Sequence, residues 1–112
     1  MARNMSFGLT RCAFLEKTKT VTRRLGWAHL KPGTVLCGVE KSMGLRKGQK
    51  VTRLGMIRVV NVRAEPLNVI TKEDCILEGF PEFLPQDFVR MFCFYNKCKQ
   101  DQLVNRIEFE YL

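Results

Sequence analysis

The sequence predicts an α+β fold, a small closed or nearly closed β-barrel with two or three flanking helices. Three observations carry this expectation. Short β-branched runs recur along the chain, and the segments between some of them bear helix start and stop signals. The chain also closes on a strand pattern in which Ile107, Phe109 and Tyr111 alternate with Arg106, Glu108 and Glu110, as expected of one buried face. A length of 112 residues suits a single domain, taken as residues 1–112, and 46% apolar with 27% charged residues is an ordinary globular composition. No apolar run approaches the roughly 18 residues of a membrane span. The first residues lead into no secretory-signal pattern, so a cytoplasmic chain is expected.

Ser6 is placed to cap a short helix through Leu9, Cys12, Ala13 and Glu16, where apolar positions recur at helical spacing and β-branched residues are absent. Thr20 to Arg24 reads as a strand because β-branched residues cluster there. Leu25 to Gly33 is a loop closed by a Pro32-Gly33 turn, and Thr34 to Lys41 a second strand, apolar on both faces. The basic stretch from Ser42 to Lys50 reads as an exposed hairpin connection, with Arg46 and Lys47 as partner contacts. Arg53 to Arg63 supplies one or two strands, ended by Pro66. Thr71, with Asp74 three residues on, opens a short helix to Glu78 that Gly79 stops. Pro85 fits the first turn of a helix to about Asn96, with Phe88, Val89, Phe92 and Cys93 facing inward. Phe80, Phe83, Phe88, Phe92, Phe94 and Tyr95 read as core rather than as a base-stacking platform.

Charge is unevenly distributed. Residues 1–63 hold fourteen Lys and Arg against Glu16 and Glu40, a net of +12, whereas residues 64–112 carry a net of −4. The overall +8 and its asymmetry point to a basic face for a polyanion, nucleic acid first among them. Five scattered cysteines, no Cys-x-x-Cys and a single histidine, His29, give poor support to a zinc site. Cys93 and Cys98 can approach at a helix end but need two more ligands, so free thiols are expected and no metal or cofactor.

Lys19-Thr20-Val21-Thr22-Arg23-Arg24 packs three cations and two hydroxyls into six residues. Within a strand, Lys19, Val21 and Arg23 share one face and Thr20, Thr22 and Arg24 the other. If Lys19 instead closes the preceding helix or turn, it converges with Thr22 and Arg24. An ammonium, a hydroxyl and a guanidinium together suit a phosphate, a carbonyl or a nucleobase edge. Trp27, the only tryptophan, follows closely and either stacks on a base or anchors its loop.

This motif, the Leu30-Lys31-Pro32-Gly33-Thr34-Val35-Leu36 turn and strand, the Glu78-Gly79-Phe80-Pro81 segment and the closing Arg106–Leu112 strand occur in an order that resembles the ASCH domain, a small β-barrel family related in fold to PUA domains. The resemblance runs from about Phe7 to Leu112 and is greatest to short, stand-alone ASCH proteins of bacteriophages and bacteria. Against the family's loose Gly-x-Lys-x-x-Glu-x-Arg motif, Lys19 and Arg24 match, whereas Lys17 replaces the glycine and Thr22 the glutamate. The chain therefore lies nearer a branch carrying Lys-Thr-x-Thr-x-Arg.

The resemblance implies a PUA-like barrel with a cleft between barrel and helices, lined by the Lys-containing motif. It implies an RNA- or modified-nucleoside-binding domain; charge and position make Arg23, Arg24, Trp27, Arg46 and Lys47 the candidate binding residues. A second implication is amide hydrolysis of N4-acetylcytidine-type nucleosides, with Lys19 and Thr22 matching the reactive pair and Glu78 aligned to the glutamate. A third class is a phage protein that keeps the fold but acts by binding a host protein. The hydrolytic chemistry is coherent: a threonine hydroxyl needs a base, and a lysine serves as one when burial or neighbouring cations lower its pKa. Glu78 could relay the proton to the leaving amine, and Arg24 could stabilise developing negative charge.

Overall fold

The strands come from segments far apart in sequence, and their pairing sets the architecture. The computed structural model of the chain describes residues 2–41, 48 and 50–112. Five strands, β1 (Arg3–Ser6), β2 (Val21–Arg24), β3 (Val35–Val39), β4 (Arg53–Pro66) and β5 (Leu103–Tyr111), form one curled sheet in the order β1-β3-β4-β5-β2. The β1–β3 pair is parallel and the others antiparallel. Three α-helices, α1 (Arg11–Leu15), α2 (Lys72–Leu77) and α3 (Pro85–Asn96), accompany it, with 3-10 turns at Gly8–Thr10 and Leu67–Val69. The result is an α+β half-barrel.

β4 is one 14-residue strand, and its register against β5 shifts between Val59 and Asn61. A bulge of this kind bends a strand and increases its twist, which curls the sheet around an inner core. That core contains Met5, Phe7, Phe14, Leu36, Ile57, Val59, Ile107 and Phe109. Phe14 reaches so close to β3 that a Cβ on Gly38 would lie 2.3 Å from its ring. A second core of Leu67, Ile70, Cys75, Phe88, Val89, Phe92 and Val104 joins α2 and α3 to the other face of β5.

Several sequence expectations are corrected. Ser6 is not a helix cap: it ends β1, and its hydroxyl donates to the Glu40 carbonyl at 3.3 Å. Both faces of β5 are covered, because Val104 and Arg106 lie buried on the face opposite Ile107 and Phe109. Phe94 and Tyr95 are not core; they are 76% and 57% exposed at the end of α3. The Thr71 cap is present, with its hydroxyl accepting from the Asp74 N–H at 3.2 Å. Cys93 and Cys98 do meet, with their sulfurs 4.0 Å apart. No helix among the described residues is long and apolar enough to cross a membrane.

Candidate functional site

Lys17, at φ 61°, turns the chain out of α1, so Lys19 precedes β2 and the strand's alternation does not govern it. Three hydrogen bonds to backbone carbonyls then fix this segment. The Lys19 N–H donates to the Ala13 carbonyl at 3.3 Å, the Tyr111 hydroxyl donates to the Lys19 carbonyl at 2.5 Å, and the Thr20 N–H donates to the Leu77 carbonyl at 2.9 Å. Burial pushes the Tyr111 phenol up to about 12, which keeps it protonated as a donor. The Thr20–Leu77 bond ties the start of β2 to the end of α2 and brings the residue that caps α2, Glu78, beside Lys19. Gly79 makes this approach possible. Its φ is +96°, and a Cβ there would lie 2.9 Å from that of Ala13.

The Lys19 ammonium donates to the Glu78 carbonyl at 2.6 Å and to Glu78 Oε1 at 3.0 Å. Both residues are 2% exposed. Burial lowers the Lys19 pKa from its ordinary 10.5, and Arg24 and Arg23 add to the shift; the Glu78 charge and hydrogen bond oppose it without cancelling it. The second Glu78 oxygen accepts from Arg23 Nη1 at 3.0 Å.

Arg23 is not available to an RNA phosphate. Its side chain is fully buried, and Nη2 contacts Glu65 Oε2 at 3.0 Å and Asp74 Oδ2 at 2.5 Å. It sits directly opposite Arg106 on β5, where two like charges repel unless bridged. Asp74 is the bridge, accepting from Arg106 Nε at 2.8 Å and Nη2 at 3.1 Å. The Arg106 hydrogen bonds chiefly, with those of Arg23, hold the Asp74 carboxyl down to about 2 although burial opposes the shift.

Arg24 lies on the other face of β2. Its Nε donates to Thr22 Oγ1 at 3.0 Å and its Nη2 to the Ser6 carbonyl at 2.5 Å, and the guanidinium stands 5.0 Å from the Phe7 ring centroid. These contacts span the gap between β2 and β1, the two edges of the sheet.

Lys19, Thr22, Arg24 and Glu78 line one cleft of about 560 Å³, walled on its other side by Phe80, Met91, Phe92 and Tyr95. Trp27 is not among its lining residues. It packs against the inner core with the Arg3 guanidinium 4.6 Å from its ring centroid, which makes it an anchor of its loop. Arg46 and Lys47 lie outside the described residues. Among the described residues, no group of three or more His, Cys, Asp or Glu is placed to hold a metal ion.

The sequence reading missed Glu65, Asp74 and Arg106, and it assigned the exposed Tyr95 to the core; Phe80 both packs against the second core and lines the cleft. Of these, only Asp74 carried a local signal, as the acidic residue three after the Thr71 cap.

Fold and cleft together define a PUA-like half-barrel with a polar floor between sheet and helices. A solved structure from Enterococcus faecalis V583, of the family DUF984, superposes on the whole chain and on 77% of its own with a TM-score of 0.72 at 18% identity. The ASCH domain from Lactobacillus crispatus JV V101 covers 97% of this chain and 78% of its own, with a TM-score of 0.60 at 14% identity. The fold is therefore ASCH-like. No family model matches the chain, and no curated protein matches it significantly.

Proposed function

We propose that the cleft binds a nucleoside, either a modified nucleoside or an unpaired nucleotide of single-stranded RNA. One observation carries this reading: Lys19, Thr22, Arg24 and Glu78, drawn from two distant segments, meet on one floor facing an aromatic and apolar wall. A nucleobase presents both things such a site can hold, a hydrogen-bonding edge and a π-face. The free valences suit an edge of mixed polarity. Lys19 has a third N–H, the Thr22 hydroxyl can donate because its oxygen already accepts from Arg24, and each Glu78 oxygen keeps a lone pair. The volume lies within the usual range for small-ligand sites, roughly 300–1,000 Å³. The odd set of five cysteines suits a reducing cytoplasm.

Titration of the isotope-labelled protein with cytidine, N4-acetylcytidine, uridine, adenosine and guanosine tests the reading. At least one should shift the Thr22 and Tyr95 resonances, and Tyr95→Ala should weaken it by about 1–3 kcal/mol if the ring stacks on the base. Shifts scattered away from the cleft, or none with any nucleoside, would sink it.

Hydrolysis of an N4-acylated cytosine is a second reading, favoured by the lowered pKa of a lysine beside Glu78 and by Arg24 holding the Thr22 oxygen. Thr22 would attack the acyl carbon, with its proton passing by way of Lys19 and Glu78 to the departing amine, and water would then release the acid. Incubation with N4-acetylcytidine should yield cytidine and acetate, and K19A and T22A should each abolish turnover in folded protein. Absence of turnover across N4-acylated cytosines removes this reading and leaves the binding one.

A further inference from the structure

The cations around the cleft are not equally compensated. Lys19 and Arg23 each have a carboxylate oxygen within 3.0 Å. Arg24 has none among the described residues: its partners are the Thr22 hydroxyl, the Ser6 carbonyl and the Phe7 ring, all of them neutral. Residues 42–47 and 49 include no Asp or Glu that could supply one. A half-buried cation held only by neutral groups is under-compensated, since charges withdrawn from water are ordinarily paired. Building on the nucleoside reading, we infer that the ligand of this cleft carries a phosphate and that Arg24 is its counter-ion.

The remaining donors agree. Nη1 of Arg24 makes no hydrogen bond with the described residues, and the one buried side-chain nitrogen lacking a partner among them is Arg23 Nε. Nη1 is therefore solvent-accessible, on a residue that lines the cleft. The third Lys19 N–H and the Thr22 hydroxyl are donors on the same floor. Phosphate oxygens accept from all three, and guanidinium–phosphate bonds are charge-assisted. A neutral carbonyl would satisfy the donors and leave the Arg24 charge uncompensated, which favours an anion. Burial lowers the Arg24 pKa from 12.5 to about 10 with only partial relief from Glu78, consistent with a cation lacking its counter-charge. The phosphate can be the terminal group of a free nucleotide or an internal diester of single-stranded RNA.

Calorimetry on the unaltered protein separates these sources. Cytidine, its 5′- and 3′-monophosphates and a short oligocytidylate are compared at one ionic strength, with the guanidinium resonances of Arg24 followed by NMR. At least one phosphate-bearing ligand should bind at least about tenfold tighter than cytidine, as hydrogen bonds to charged groups are worth about 1.5–3 kcal/mol. It should also shift Arg24. A gain confined to the monophosphates identifies a free nucleotide, and one confined to the oligomer identifies RNA. R24Q should bring the ratio towards one; because Arg24 also joins β2 to β1, the ligand series on the unaltered protein stands if R24Q does not fold. Equal affinity for cytidine and every phosphate-bearing ligand, or tighter binding that leaves Arg24 unmoved, overturns the inference while the nucleoside reading survives. If no nucleoside or nucleotide binds, that reading fails, and inorganic phosphate decides the anion site: a saturable shift at Arg24 upholds it and none overturns it.

Discussion

At the scale of single residues, three neighbouring cations have three different fates. Lys19 is buried against Glu78, Arg23 is enclosed by three carboxylates, and Arg24 is held by neutral oxygens. For Lys19, desolvation and the Glu78 charge pull in opposite directions, and desolvation wins. Titration of the Lys19 ammonium by heteronuclear NMR should therefore give a pKa below 10.5, and E78Q should lower it further by removing the opposing charge. A value at or above that of free lysine, or a rise in E78Q, would contradict the balance described. Arg23 behaves as a structural residue. Burial disfavours its cation, but the hydrogen bonds it donates to Asp74, Glu65 and Glu78, with the Glu78 charge, more than offset this and raise its pKa. Arg23→Ala leaves those carboxylates facing an unfilled space and should cost about 3–5 kcal/mol in chemical denaturation. A loss under 1 kcal/mol, typical of exposed ion pairs, would mean that the network adds little. A double alanine substitution at Arg23 and Arg24 is consequently a poor probe of RNA binding, since it removes a buried clamp along with any ligand contact.

Among the elements, α2 connects the site to the sheet. Its first turn supplies Asp74 to Arg106 and Arg23, and its last carbonyl pins Thr20 so that Glu78 meets Lys19. The Asp74 bridge has a definite pH signature. Its folded pKa of about 2 lies below the ordinary 3.8, so its contribution is fully present above the unfolded value and is lost as pH falls through the folded one. The shift corresponds to about 2 kcal/mol. Denaturation midpoints at about pH 7, 4 and 2.5 should fall for the native chain, and D74N should start less stable and lose less over that range. Identical acid losses in both proteins would remove Asp74 from the explanation. What the sequence disclosed follows the same division between local and distant causes. Thr71, Gly79 and Pro85 carry signals within a few residues, and the helices they bound are where they were expected. β1 was missed because Arg3-Asn4-Met5-Ser6 has no β-branched residue and is a strand only through its parallel pairing with β3. Arg106 was expected on a solvated face because its cover, α2, lies about thirty residues away and its docking leaves no mark on the strand's own alternation.

For the molecule as a whole, the charge asymmetry has two parts. The basic motif is partly neutralised from within, because Glu65, Asp74 and Glu78 of the acidic half fold onto Lys19 and Arg23 of the basic half. The compact motif made Lys19, Thr22 and Arg24 legible in the sequence. The network behind them was not, because its members converge only after β2 and β5 pair and α2 docks. Counting Lys19, Arg23, Arg24 and Arg106 against those three carboxylates gives a net of +1 inside, so +7 of the overall +8 belongs to the rest of the chain. Among the exposed cations, Arg11 and Arg58 are paired with Glu40 and Glu110, whereas Lys17, Lys31, Lys41 and Lys50 have no carboxylate within 4.0 Å among the described residues. A polyanion would meet this outer charge rather than the internal network. Single-stranded RNA that uses it must release counterions, so log K should fall linearly with log salt, by roughly 0.7 per phosphate neutralised. Arg46 and Lys47 are the proposed contacts, and R46A with K47A should together flatten the slope by about 1.4. Salt-independent RNA binding, or an unchanged slope in the double variant, would move the RNA contact away from that stretch.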